Sequence, residues 1–309
     1  MRFSKIQNLI IINLAILLVV FTFHEKILTS LDSYNTAIFC NLKSNQNSKC
    51  VNKKSKNESG NFDKIARDLR HLNLKPGGQN ILKRYKSKIA IVVPYRDRIR
   101  NLKIFLRYVH PFLVQQNIYY GFFLIEPIGN LTFNKGIAMN AGFVESQKEN
   151  DWDCFIFHDV DLLPESIHNI YSCDQRVPKL LSTSISSFGY SVDGYFKEKH
   201  FGGVTAFTRE QFETINGFSN VYFGWGLEDD DARLRVLAKY PSVRRVDPEN
   251  GRYYANCHKQ QKRNPNRFIQ YLNSRNRQTK DGLNSLDYKI IKWEKSNLFI
   301  RIFISYHEN

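Results

Sequence analysis

The sequence predicts an α/β domain built on a parallel sheet, and three observations carry that expectation. Short apolar runs alternate with stretches of helical periodicity from Lys88 onward, and charged clusters fall directly after the apolar runs. The 309 residues are 42% hydrophobic and 14% aromatic, enough for one well-covered core plus additional segments.

Taken in order, Ile89-Ala90-Ile91-Val92-Val93 is a continuous apolar run of the kind found in strands buried on both faces, and Pro94 ends it. Leu102, Phe105, Leu106, Val109 and Leu113 then recur at helical spacing. Residues 121–125 form a second strand, 138–145 a second helix and 153–157 a third strand. Strand, helix, strand, helix, strand implies parallel pairing through right-handed crossovers, with ligands bound beyond the carboxyl ends of the strands. Pro94-Tyr95-Arg96-Asp97-Arg98 and Asp159-Val160-Asp161 both stand at such ends. The two carboxylates are hard oxygen ligands suited to Mg²⁺ or Mn²⁺ carrying a phosphorylated group; taken alone, the triplet also reads as a polar turn.

The chain begins with Arg2 and Lys5 ahead of an apolar stretch from Leu9 to Phe23, broken only by Asn13 and Thr22. Phe21-Thr22-Phe23-His24 lacks the small residues of a cleavage site, which favours an uncleaved signal anchor over a cleaved signal peptide. The expected order is a cytoplasmic tail over residues 1–7, a membrane anchor over 8–23, a stem over 24–85 and a folded domain over 86–309, the last two lumenal. Asn, Lys and Ser dominate the stem, which closes on Pro76-Gly77-Gly78. Asn57 and Asn130 head glycosylation triplets, usable only in a lumenal chain.

Five cysteines suit an oxidising compartment. Cys154 and Cys173 bracket the acidic turn, so a bridge between them would help to fix its carboxylates; a buried free thiol at Cys154 is the alternative. Cys40 with Cys50 would close a small loop in the stem, which either leaves Cys257 unpaired or makes one of these pairings wrong. The net charge of +16 admits nucleic acid, an anionic membrane or a phosphorylated small molecule as partner. Nucleic acid accounts for the charge but not for the leader, and is not expected.

Five motifs stand in one order: Val93-Pro94-Tyr95-Arg96-Asp97-Arg98, Phe133-Asn134-Lys135, Asp159-Val160-Asp161-Leu162-Leu163-Pro164, Phe201-Gly202-Gly203-Val204, and Gly224-Trp225-Gly226-Leu227-Glu228-Asp229-Asp230-Asp231. From about Lys88 to Leu286 the chain resembles the β-1,4-galactosyltransferases. These are Golgi type II membrane enzymes with a GT-A nucleotide-sugar-binding fold, on a mixed and mostly parallel sheet, that use UDP-sugars and Mn²⁺. The resemblance implies inverting transfer of galactose or N-acetylgalactosamine to a terminal β-linked N-acetylglucosamine. It makes Pro94, Tyr95, Arg96, Arg98, Phe133, Lys135, Asp159, Val160, Gly203 and Trp225 nucleotide-sugar-binding residues. Asp161 and His258 become metal ligands for Mn²⁺ or Mg²⁺, Asp229 the general base, and Glu228 and Asp230 the residues that orient sugar hydroxyls. His200, Arg267 and Phe268 join Asp230 on the acceptor side, His200 also lying in the donor-sugar pocket.

The bottom-up reading agrees with those roles. Arg96 and Arg98 offer forked donors for diphosphate oxygens, and Lys135 a point charge where the family usually has Arg. Inversion at an anomeric carbon needs one base while positive charge stabilises the departing diphosphate. Acids at a helix start also favour the positive helix end, which would depress the base's pKa. Four departures from the family pattern stand out: Ala255 replaces a methionine ligand, leaving water, Asn256 or Cys257 to complete the metal shell. Phe223 replaces Trp, Leu227 replaces Gly, and His200 replaces Tyr or a smaller apolar residue. A lumenal carbohydrate-binding protein that no longer turns over its donor is the alternative function.

Overall fold

The computed structural model describes residues 62–81, 84–259 and 261–308. The expected anchor, the Cys40–Cys50 loop and the Asn57 sequon lie outside the described residues. Among those residues no helix is long and apolar enough to cross a membrane.

In chain order the elements are α1 (Asp63–Asp68), β1 (Lys88–Pro94), α2 (Ile99–Gln115), β2 (Tyr119–Pro127), α3 (Lys135–Ser146), β3 (Cys154–His158), β4 (Leu162–Pro164), β5 (Lys179–Leu180) and β6 (Ser184–Ile185). There follow α4 (Tyr195–Glu198), β7 (Val204–Thr208), α5 (Arg209–Thr214), α6 (Glu228–Lys239), β8 (Arg244–Arg245), β9 (Arg252–Ala255), α7 (Arg267–Leu272), α8 (Ser274–Arg277), β10 (Lys289–Lys295) and β11 (Ile300–Ser305). The main sheet runs β10-β11-β2-β1-β3-β7-β5-β8, and a small second sheet runs β4-β9-β6.

The parallel heart of the main sheet is the one expected from the apolar runs. Ile89 pairs with Tyr120 on one side and Cys154 on the other, and β1 is buried through Val93. Helix α3 packs close on β1 and β2 because Gly142 has no Cβ; one added there would collide with Val92 and Ile125. β7 then runs antiparallel to β3, which makes the sheet mixed. The order β2-β1-β3 reverses at β1, so a crevice opens between the carboxyl ends of β1 and β3.

Two features depart from the sequence reading. Residues from Phe62 do not behave as the end of a stem: Ile65, Leu69 and Leu72 are buried, Phe62 meets Phe299 edge to face, and Gly77 bonds to Phe122 and Ser296. The apolar face of a six-residue helix is too short to stand out as periodicity. The second is β10 and β11, which the alternation of motifs did not reach; β11 inserts parallel to β2 and buries Ile300, Ile302 and Ile304.

The Cys154–Cys173 disulfide forms as expected, across a sequence separation of 19. Closing a loop of that size contributes about 3 kcal/mol. Cys257 is also disulfide-bonded, which corrects the expectation that it could be unpaired.

His110 on α2 is fully buried between Tyr120 and the Leu298 carbonyl, each 2.9 Å from a ring nitrogen. Burial lowers its pKa to about 4. A histidine ordinarily titrates near 6.5, so the unfolded chain takes up a proton that the folded chain refuses. Stability from this group is therefore full above about pH 6.5 and falls away toward pH 4, by on the order of 3 kcal/mol. Urea unfolding of His110→Gln across that range should show a pH slope shallower than the wild type by about one proton; an unchanged slope would refute the assignment.

Candidate active site

Five chain segments converge at the crevice, each placed by an element already described. The acidic turn follows β3, the Arg96–Arg98 turn follows β1, and Lys135 opens α3, where Asn134 caps the helix by accepting from Ile137 N. Glu228, Asp229 and Asp230 form the first turn of α6. His258 follows β9, which lies antiparallel to β4 and so beside the acidic turn, with Leu162 opposite Ala255.

At the centre is Lys135. Its Nζ lies 3.0 Å from Asp159, 3.1 Å from Asp229 and 3.7 Å from Glu228. One ammonium thus joins the acidic turn to the start of α6. Burial alone would lower the Lys135 pKa, but these carboxylates, Asp159 foremost, raise it well above the ordinary lysine value. Burial pushes the Asp229 carboxyl well above the usual range; Lys135 opposes the shift, while Glu228 and Asp159 add to it. The helix-start expectation of a depressed pKa is corrected: loss of water around Asp229 outweighs the helix end.

Asp161 lies a few residues along. Its Oδ1 is 3.4 Å from Arg98 Nη1 and its Oδ2 is 3.0 Å from His258 Nε2. His258 Nδ1 donates to the Lys259 carbonyl at 2.9 Å, which aims Nε2 at the carboxylate. A carboxylate oxygen and an imidazole nitrogen turned toward each other, with the second ring nitrogen held, form a donor pair that fits a divalent cation. Among the described residues no third His, Cys, Asp or Glu joins them. Cys257 is excluded as a thiolate ligand because it is disulfide-bonded, and the Asn256 backbone donates to the Asp161 carbonyl at 2.7 Å.

Arg96 spreads 5.1 Å from the Phe133 ring and donates to the Leu131 carbonyl at 2.5 Å. Tyr95 and Val160 are buried, Tyr95 with Arg301 5.8 Å from its ring. Gly202 lets the backbone approach Asp229: a Cβ there would sit 2.5 Å from Asp229 Oδ2. His200 is only 8% exposed, and its Nε2 has no hydrogen-bond partner. A buried ring nitrogen without a partner is a ready contact for a ligand hydroxyl. On the outer side, Trp225 (52% exposed) and Phe268 (58%) present open faces, and Tyr195 donates to Asp230 at 2.7 Å. Arg267 stacks 4.4 Å from the Phe268 ring.

The loop carrying Trp225 is pinned at both sides: Trp225 N donates to Lys262 O and Asn264 N to Trp225 O, each at 3.0 Å. A cavity of about 520 Å³ lies behind this loop, lined by Phe223, Gly224, Lys262 and Asn264 among others, and holds none of the central carboxylates. Leu227, where the loop meets α6, sits at φ +69°, in the left-handed region that leucine adopts only under strain.

Sequence reasoning missed what holds α6. Asp231 accepts from Arg235 Nε at 2.7 Å, Arg277 Nη2 at 2.5 Å and the Tyr222 hydroxyl at 2.9 Å. Asp281 accepts from Arg235 and Arg277, both at 3.1 Å, and from Ser219 at 2.5 Å. The available signal was two pairs of oppositely charged residues four apart, Asp231 with Arg235 and Arg277 with Asp281.

Residues 40–174 match the profile of the N-terminal region of glycosyl transferase group 7, and residues 181–259 that of an N-terminal domain of galactosyltransferase. The chain is 39% identical over 238 residues to β-1,4-galactosyltransferase 3 of Bos taurus, covering 75% of this chain and 59% of the relative. It is 40% identical over 223 residues to β-1,4-galactosyltransferase 4 of Cricetulus griseus, covering 71% and 64%. It therefore spans somewhat more than half the length of these relatives. Among solved structures, the catalytic domain of Drosophila β-1,4-galactosyltransferase 7 in complex with xylobiose aligns with a TM-score of 0.60 at 27% identity, over 71% of this chain and 94% of that one. A variant of the same Drosophila protein, in complex with manganese, UDP-Gal and xylobiose, aligns equally well at 28% identity. The fold is thus GT-A-like, with a mixed central sheet.

Removing Arg235 takes one of two cations from a pair of buried carboxylates and leaves both on Arg277 alone. Arg235→Met should lower the unfolding free energy by about 3–5 kcal/mol in urea titration; a loss below 1 kcal/mol would show that the cluster does not hold α6. Leu227→Gly should leave the melting temperature unchanged or raised despite the smaller side chain, whereas Leu227→Val, β-branched, should cost about 1–2 kcal/mol. Equal losses for both would place the strain elsewhere.

Proposed function

The chain belongs to the glycosyltransferase group 7 family of β-1,4-galactosyltransferases, and from that premise we propose that it moves galactose from UDP-galactose to O4 of a terminal β-linked N-acetylglucosamine. The observation that carries the proposal is the convergence of Asp159, Glu228 and Asp229 on Lys135, beside the Asp161–His258 pair.

Asp229 is the general base. It takes the proton of the acceptor hydroxyl as that oxygen bonds to the anomeric carbon and the bond from that carbon to the diphosphate oxygen breaks, with inversion. UDP departs with the bonding electron pair. A carboxyl raised by burial is a stronger base than an exposed one, which suits proton abstraction from an alcohol. As the site stands, Lys135 is paired with Asp229. The donor's diphosphate competes for the same ammonium, so donor binding frees the base as it brings the sugar into place. Arg96 and Arg98, at the carboxyl end of β1, supply further positive charge to the leaving group. Asp161 and His258 would hold a divalent cation, Mn²⁺ or Mg²⁺, whose charge assists departure of UDP.

The acceptor side is read from Asp230, Arg267, Phe268 and the open face of Trp225, a wall of aromatic faces and donors suited to a sugar ring. His200 is compact and keeps a free nitrogen, so the donor pocket has room for an N-acetylated sugar, and UDP-N-acetylgalactosamine is the second donor to try. A lumenal, Golgi-membrane location, with the anchor over residues 8–23, is supported by the Cys154–Cys173 disulfide and by the exposed loop that carries Asn130.

UDP release should depend on both an N-acetylglucosamine acceptor and a divalent cation, and should be lost on chelation. Asp229→Asn should lower kcat at least 1,000-fold, on the order of a lost catalytic base together with its electrostatic role, while UDP-galactose still binds. Full transfer activity in Asp229→Asn would overturn the mechanism.

A further inference from the structure

The reaction just described has no use for the histidine that precedes the acidic turn. His158 ends β3 and is fully buried. Its Nδ1 lies 2.9 Å from the Asp159 carbonyl and its Nε2 lies 2.8 Å from the Tyr171 hydroxyl. The Tyr171 hydroxyl is 3.0 Å from that of Tyr253, which accepts from Asn169 Nδ2 at 3.2 Å.

The direction of every proton in this chain can be worked out. A carbonyl only accepts, so Nδ1 of His158 carries a hydrogen. Burial keeps the ring neutral, so Nε2 is an acceptor and Tyr171 must donate to it. The Tyr171 oxygen is then the acceptor for the Tyr253 hydroxyl, whose own oxygen accepts from Asn169. All four bonds point one way, toward the Asp159 carbonyl, and aligned bonds of this kind strengthen one another.

The ends of the chain matter as much as its direction. The Asp159 carbonyl also accepts from Leu162 N at 3.2 Å, and Asp159 N donates to the Gly203 carbonyl at 2.9 Å, so the backbone of the acidic turn is fixed at several points. Tyr171 is anchored by its own N, which donates to Gln116 at 2.9 Å. Tyr253 lies on β9, the strand that leads to His258. The buried chain thus ties the strand that delivers Asp161 to the strand that delivers His258.

We propose that His158, Tyr171 and Tyr253 are positioning residues that set the acidic turn against β9, and thereby set the affinity of the Asp161–His258 pair for a divalent cation with its nucleoside diphosphate. This rests on the reading of that pair given under the proposed function.

The test is Mn²⁺ and UDP binding to the full chain, followed by the electron paramagnetic resonance of free Mn²⁺ and by calorimetry, without turnover. Tyr171→Phe should weaken Mn²⁺–UDP binding about 10-fold, the lower end of what loss of an outer-shell partner does to a metal site. Tyr253→Phe leaves the Tyr171 bond to His158 in place and should weaken binding about 2- to 3-fold, which covers the case of a Tyr171 variant that does not fold. Tyr288→Phe, which loses a side-chain bond to Glu145 of 2.6 Å remote from the chain, should lower stability but leave binding as in the wild type. Nitrogen-15 spectra of histidine-labelled protein should show His158 protonated on Nδ1. Wild-type affinity in both Tyr171→Phe and Tyr253→Phe, or a proton on Nε2 instead, overturns the positioning role alone. Failure of the wild type to bind Mn²⁺–UDP overturns the site reading itself and this proposal with it.

Discussion

Four carboxylates, Asp159, Asp161, Glu228 and Asp229, share one small region at the carboxyl edge of the sheet, and their mutual repulsion is the constraint the rest of the molecule answers to. Two unit charges 4 Å apart interact by about 4 kcal/mol in a partly buried setting. Two cations and an imidazole from three other segments interleave with them: Lys135, Arg98 and His258. Lys135 ties the first turn of α6 to the acidic turn, but one ammonium among three carboxylates leaves repulsion that acts to drive the helix off the sheet, so that helix needs a second hold. It is held from behind, where Asp231 and Asp281 share Arg235 and Arg277 away from water. The acidic turn is fixed from its backbone as well as through its carboxylates, Asp159 N donating to the Gly203 carbonyl and the Asp159 carbonyl accepting from Leu162 N.

Much of this was legible in the sequence, and the reasons differ by element. The strands β1, β2 and β3 were readable because each is buried on both faces, so the apolar run is unbroken and its ends are sharp. β10 was not, because it is an edge strand whose outer face is open to water; Lys289-Ile290-Ile291-Lys292 carries no alternation that separates it from a loop. β4, β6 and β9 are too short for any periodicity to accumulate.

The site divides along a similar line. The charged residues that line the crevice sit in contiguous motifs at strand and helix ends, so Asp161, Lys135 and Asp229 could be found as text. Residues that hold those motifs in place come from scattered positions, such as Arg277 and Asp281 behind α6, or Tyr171 and Tyr253 behind the acidic turn. Their partners are set by tertiary contact, and nothing local announces the pairing. Cys257 shows the same limit: counting cysteines allowed it to be unpaired, and only the fold decides otherwise.

The pairing of β11 with β2 sets an order of events during synthesis. Ile300 lies opposite Phe123, so the edge of β2 away from β1 stays uncovered from Phe123 to Pro127 until almost the whole described chain has been made. At ordinary elongation speeds that is a wait of roughly 10–35 s. The Cys154–Cys173 loop, by contrast, is complete long before then. A nascent chain would therefore carry its acidic turn already stapled while an apolar strand edge remained open, which makes that edge the natural target for the chaperones that attend a growing polypeptide.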